Sequence, residues 1–267
     1  MFLSTFFTST GMDNRPTAYF FNYPHLIYFL INVGLFIFLW RLLKKMSIKN
    51  QDKMINVFLL FILLLKYAGD AIFIYEYYYV DPNYTSYTHS IWDVDTLISF
   101  QLCGIMNILL PIVIWFKLKS WKIFVYISSI LGGLTVLIYP VTILFGDPFI
   151  VTLPMLRSGL VHFFLLFIPL FLINRGDIEL KKSDWKPFLI GTLIVFAWAT
   201  FGNFVIDIGD NNIYLEYNPF YGTDMPFVSL IPNGWHILFI FSMFAFGYTL
   251  IHWVLKFIQP KKKLRNS

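Results

Sequence analysis

The chain holds one cysteine, Cys103, and five histidines, of which His162 lies well inside an apolar run. A thiol and an imidazole on separate segments are the minimum set for nucleophilic acyl transfer. Cysteine attacks as the thiolate, and an apolar site disfavours that charge, so a working thiol needs a base or a positive field beside it. His162 could be the base, with Lys66 or Arg157 supplying the field. Gln101 or Asn107 could donate to a developing oxyanion. Each residue also has a structural reading. A lone membrane cysteine can simply pack, and a lone histidine can bridge helices. Lys66 and Asp70, four residues apart and so on one helix face, can satisfy each other. Arg157 can snorkel to headgroups. Ionisable groups inside a bilayer are costly, so the functional reading stays open for each.

The elements that must position these groups are apolar blocks of about 20 residues, the length that crosses a hydrocarbon core. Candidate spans are 24–43, 54–74, 96–116, 122–143, 154–173, 187–206 and 235–257. Aromatic residues mark their ends, among them Trp40, Tyr77, Tyr78, Tyr79, Trp92, Trp121, Trp185 and Trp235, as expected at headgroup level. Pro111, Pro169, Gly132 and Gly133 fall inside spans, where membrane helices tolerate them. Asn32, Lys66, Cys103 and His162 each lie about seven to nine residues from one end of their spans, a layer roughly 10–14 Å deep. The spacing puts Ser99, Cys103 and Asn107 on one helix face, and Ser158 with His162 on another. These positions outline a polar pocket opening toward one leaflet.

The chain is 267 residues long, 58% hydrophobic and 13% charged, with mean hydropathy +0.67. Soluble domains carry about 25% charged residues, so the expected fold class is an all-α polytopic bundle, a single membrane domain over 1–267. Segments near 41–53, 117–122, 175–186 and 256–265 hold 17 of the 20 basic residues. The alternate segments hold only Arg15, yet collect Asp13, Glu76, Asp81, Asp93, Asp95, Asp147, Asp207, Asp210, Glu216 and Asp224. Positive-inside asymmetry then predicts seven spans, N-terminus outside and C-terminus cytoplasmic. The basic faces suit anionic headgroups and account for a pI near 9.1 without nucleic acid. The apolar start, Met1 to Phe7, lacks a basic n-region and reads as an interfacial segment, not a cleaved signal. A single cysteine excludes an intrachain disulfide and a cysteine-based metal site.

The segment Leu97-Ile98-Ser99-Phe100-Gln101-Leu102-Cys103 resembles the span motif of the YwaF-like integral membrane proteins, roughly L-P-L-H-L-C. It follows a lysine- and aspartate-bearing span and an acidic loop, as in that family. Arg157-Ser158-Gly159-Leu160-Val161-His162 is similar to the family's second signature. Asn212-Ile213-Tyr214-Leu215 with Pro226 resembles its ending, and His25 in Pro24-His25-Leu26 fits a further position. Phe100 and Gln101 stand where the family usually has leucine and histidine. The resemblance implies lipid acyl chemistry: the family's eukaryotic branch includes a transmembrane acyltransferase of ether lysophospholipids thought to use a Cys and a His, matching Cys103 and His162.

The expectation is therefore a lipid acyltransferase or thiol-dependent lipid hydrolase in the cytoplasmic membrane of a prokaryote. Cys103 and His162 would be catalytic. Lys66, Asp70, Gln101, Asn107, Arg157, Asn32 and His25 would line the substrate site, with membrane lipid as partner and no cofactor or metal. One rival is a carrier with a relay through Lys66, Asp70, His162 and Asn32, although paired broken helices, the usual transporter mark, are missing from the pattern. Another is a sensor or assembly partner that uses the outer loop 207–234. His89 and His236 could share the outer surface, and His252 reads as an interfacial residue. No phosphate-binding glycine loop, metal-ligand spacing, nucleophile-elbow serine or repeat is present.

Overall fold

The computed structural model describes residue 6 and residues 23–80, 90–140, 151–206, 211–222 and 227–258. These residues form helices and connecting turns, with no strand among them. The helices are α1 (Tyr23–Lys44), α2 (Ile48–Tyr75), α3 (Val94–Leu97), α4 (Leu102–Trp115), α5 (Lys119–Ile138), α6 (Leu153–Arg175), α7 (Trp185–Phe201) and α8 (Trp235–Ile258). Wider π-helical turns extend α2 over Glu76–Val80 and α7 over Gly202–Ile206. Six helices, α1, α2, α5, α6, α7 and α8, are long and apolar enough to cross a membrane. The expected interfacial segment 1–7 apart from Phe6, His89 and parts of the loop 207–234, Pro226 included, lie outside the described residues.

One expected span is corrected. Residues 96–116 do not form one helix: α3 stops at Leu97, Ile98–Gln101 are non-helical, and α4 runs only from Leu102 to Trp115. At 1.5 Å per residue its 14 residues cover about 21 Å of a roughly 30 Å core. Because Ser99 precedes the helix, it does not share a helical face with Cys103 and Asn107. The span expected over 122–143 also ends early, at Ile138.

The bundle is organised around α6. Its most apolar stretch is 72% buried within the protein, against 11% for α8 and 17% for α1, which leave most of their apolar surface for lipid. The ends of α6 are fixed locally. Thr152 Oγ1 accepts the Met155 N–H at 3.3 Å, and Pro154 sits in the first turn, where its missing N–H costs no helix bond. At the other end Gly176 adopts φ 93°, and the Gly176 and Asp177 N–H groups return to Ile173 and Leu172. That left-handed cap is costly for any residue with a Cβ.

Aromatic pairs set the register of the surrounding helices. Phe36 and Trp40 of α1 meet Phe167 and Phe171 of α6, so these two run parallel. Phe58 and Phe61 of α2 meet Phe164, with α2 antiparallel to α6. Phe188 of α7 lies against Phe124 of α5 and stacks on Tyr248 of α8. At one end of the bundle Arg175 binds Asp52 at 2.7 Å, Trp115 Nε1 donates to Asn56, and His252 Nε2 donates to the Lys181 carbonyl at 3.0 Å. The basic segments near 41–53, 117–122 and 175–186, together with Lys256, share that end. At the opposite end His25 Nε2 donates to the Leu137 carbonyl at 3.2 Å, joining the start of α1 to the end of α5.

Candidate functional site

Because α3 ends at Leu97 and the chain breaks over Ile98–Gln101, the Thr96, Leu97 and Ser99 carbonyls have no helical partners, and each one left unsatisfied in hydrocarbon would cost several kcal/mol. Side chains from two other helices meet them. Lys66 Nζ of α2 donates to the Thr96 carbonyl at 2.5 Å and to Asp70 Oδ2 at 2.7 Å. Tyr67 OH reaches the Leu97 carbonyl at 3.3 Å. From α7, Trp198 Nε1 donates to the Ser99 carbonyl at 3.2 Å, and its ring stacks on buried Phe100 with centroids 4.9 Å apart. The break is thus held from both sides.

Cys103 is the second residue of α4, so the break places the thiol in a helix's first turn. Gln101, the cap residue, makes no side-chain bond to that turn. First-turn N–H groups lack helical partners and carry the positive end of the helix dipole, a field that favours thiolate and oxyanion.

His162 is buried in α6. Its Nδ1 lies 2.7 Å from the Ser158 carbonyl and 3.4 Å from Ser158 Oγ. A carbonyl can only accept, so Nδ1 carries the proton, and Nε2 of the neutral ring is left as the basic nitrogen. Two consecutive glycines of α5 connect this helix to the thiol. A Cβ at Gly132 would sit 3.1 Å from Cys103 Sγ, and one at Gly133 would meet the His162 carbonyl oxygen at 2.5 Å. Cys103 and the His162 backbone therefore bracket a single peptide unit of α5. The same register brings Asn32 and Lys66 to within about one turn of this level, since Tyr28 lies on Gly159 and Gly69 lies on Arg157.

The remaining expected residues divide by what they touch. Asn32 Nδ2 donates to its own helix at the Tyr28 carbonyl, 2.8 Å away. It also lines an apolar crevice of about 100 Å³ between α1, α5 and α6, walled by Tyr28, Phe36, Gly133, Phe163 and Leu166. Asn107 is buried, and its Oδ1 has no hydrogen-bond partner among the described residues. Gln101 is exposed, and its Oε1 accepts the Ile213 N–H at 3.1 Å, so it anchors a loop. His25 is spent on the Leu137 carbonyl. His236 takes the Gly234 N–H at 2.9 Å on Nδ1, and His252 sits at the basic end. Among the described residues no group of three His, Cys, Asp or Glu could hold a metal.

Sequence reasoning missed Trp198, Asn203 and the contact role of Gly132 and Gly133. Asn203, in the π-helical turn after α7, accepts the Asn212 N–H on Oδ1 at 2.8 Å. With Gln101 it pins Asn212–Tyr214, where Ile213 and Tyr214 both adopt φ 57° and Ile213 is buried. Positive φ at a β-branched residue is strained and persists only where the surroundings impose it. This turn lies near the end of α5, where burial, and then neighbouring Tyr214, push the Tyr139 phenol up from its ordinary value.

Fold and site together define a polytopic helical membrane protein with a polar layer built around an interrupted helix. A model of the TMEM164 family matches residues 20–253, and the chain belongs to that family. No curated protein and no solved structure matches it.

Proposed function

We propose that the protein is a membrane-embedded lipid acyltransferase or thiol-dependent lipid hydrolase, with Cys103 as nucleophile and His162 as base. The observation that carries this reading is the thiol's position in the first turn of α4, directly after the break in the chain. That thiol shares one peptide unit of α5 with the His162 backbone. Cys103 Sγ attacks an ester carbonyl while His162 Nε2 takes the thiol proton. The N–H groups of Cys103 and Gly104 hold the oxyanion. Collapse breaks the ester C–O bond, His162 returns the proton to the departing alkoxide, and a thioester remains. An acceptor hydroxyl or water, deprotonated by His162, then releases the acyl chain and restores the thiol. The crevice beside Gly133 is apolar and suits a hydrocarbon chain.

The charge asymmetry supports seven crossings, with α4 as the short one, the N-terminus outside and the basic end in the cytoplasm of a prokaryotic cell. In that orientation the substrate enters from the outer leaflet. A relay through Lys66 and Asp70 fits less well, because both are engaged at the helix break. A fluorescent acyl-ester phospholipid offered to purified protein tests the mechanism. Wild type forms a hydroxylamine-sensitive adduct, and Cys103→Ala forms none. Turnover unchanged in Cys103→Ala would remove the mechanism.

A further inference from the structure

On the α2–α6 face two cations, Lys66 and Arg157, act on the single carboxylate of Asp70, and only Lys66 bonds it. Arg157, in the second turn of α6, makes no hydrogen bond and no ion pair among the described residues, and its Nε is buried without a partner. The nearest acid along α2, Asp70, is already bound by Lys66 at 2.7 Å. The guanidinium nevertheless has a built seat. It lies over the Phe73 ring, with Cζ 5.5 Å from the centroid, and against Gly69, where any Cβ would collide with it. A snorkelling arginine would extend into the headgroup region. This one is folded back onto α2, with five donors in a rigid fork and no acceptor.

We infer that Arg157 is an anion subsite that binds the phosphate of a membrane phospholipid. A guanidinium without a hydrogen-bonded acceptor, sharing its one nearby carboxylate with Lys66, is costly here, and a bidentate phosphate oxygen pair satisfies both its charge and its donors. Position along α6 supports the same carrier. Arg157 precedes His162 by five residues, about 7.5 Å along the axis. In a glycerophospholipid the phosphorus and an ester carbonyl carbon are five or six bonds apart, roughly 6–7 Å at the reach per bond of an extended chain. A phosphate on Arg157 therefore leaves an ester at the level of the imidazole. The carrier's identity rests on the lipid-substrate reading above, but the subsite does not depend on Cys103 chemistry.

The test is lipid retention by the full-length protein in detergent, read by native mass spectrometry. Dioleoylphosphatidylglycerol is compared with dioleoylglycerol, which has the same chains and no phosphate. Wild type prefers the phospholipid, and Arg157→Gln lowers that preference by about 10- to 100-fold. Arg157→Lys keeps part of it. Gly69→Ala, which displaces the guanidinium without removing it, also lowers the preference and carries the test should Arg157→Gln not fold. Cys103→Ala retains phospholipid like wild type, so loss of the acyl-transfer reading would leave this result intact. Undiminished preference in both Arg157→Gln and Gly69→Ala overturns the subsite. Arg157-dependent thermal protection by millimolar inorganic phosphate, with no phospholipid retained, overturns the lipid as its source.

Discussion

Replacing Lys66 by Met tests whether this lysine holds the helix break or binds substrate. Lys66 and Asp70 side chains are 6% and 15% exposed, so solvent screens their pairing little. Removing the lysine strands a mostly buried carboxylate, which typically costs about 3–5 kcal/mol. It also strips the Thr96 carbonyl of its donor, worth about 1–3 kcal/mol when buried. The two losses share one group and are not additive, so about 3–5 kcal/mol is expected for Lys66→Met. The double variant Lys66→Met with Asp70→Leu removes the stranded charge and should recover all but about 1–3 kcal/mol, the carbonyl's share. Reversible unfolding in bicelles, followed by circular dichroism, measures both. A Lys66→Met cost below about 1 kcal/mol, or a double variant no better than the single, would refute the strut argument.

Other substitutions separate chemistry from packing. His162→Gln keeps a side-chain donor for the Ser158 carbonyl but removes the base. Turnover should fall about 10²- to 10⁴-fold with little change in melting temperature. Gly132→Ala meets only the Cys103 sulfur, at 3.1 Å. It should leave stability level or up to about 1 kcal/mol higher, while iodoacetamide alkylation and turnover drop roughly tenfold or more as the sulfur is displaced. Its neighbour Gly133→Ala meets the His162 carbonyl and Leu166 backbone, which cannot swing aside. Thermal unfolding should show it destabilised by about 1–3 kcal/mol. Equal behaviour of the two glycine variants would argue against the bracketing of one peptide unit by Cys103 and His162.

Much of this arrangement is legible in sequence because lipid imposes simple rules. Apolar length gives the long helices, the i,i+4 spacing gives the Lys66–Asp70 pair, and loop charge separates the two ends. The break at Ile98–Gln101 is not legible. It contains no glycine or proline, and the groups that stabilise it lie 30 residues away at Lys66 and 99 residues away at Trp198. A continuous apolar run therefore reads as one span, and Ser99 is assigned to a helical face it does not share. The loop-anchoring bond of Gln101 is illegible for a similar reason: its side-chain oxygen accepts from Ile213, 112 positions along the chain. Local pattern reports the cost of burying a residue type, whereas these roles come from partners that only tertiary packing supplies.

The shortness of α4 bears on the bilayer as well as on the thiol. On the proposed reading of α4 as the short crossing, about 21 Å of helix beside roughly 30 Å spans sets a hydrophobic mismatch on its flank. Leu97 and Ile98, at the top of that flank, are about half exposed, so lipid meets the gap directly. On that reading acyl chains there tilt or shorten, and headgroups are drawn inward toward the level of Cys103. Such a local thinning shortens the path of an ester to the sulfur, so that a lipid could be presented for reaction without leaving its leaflet.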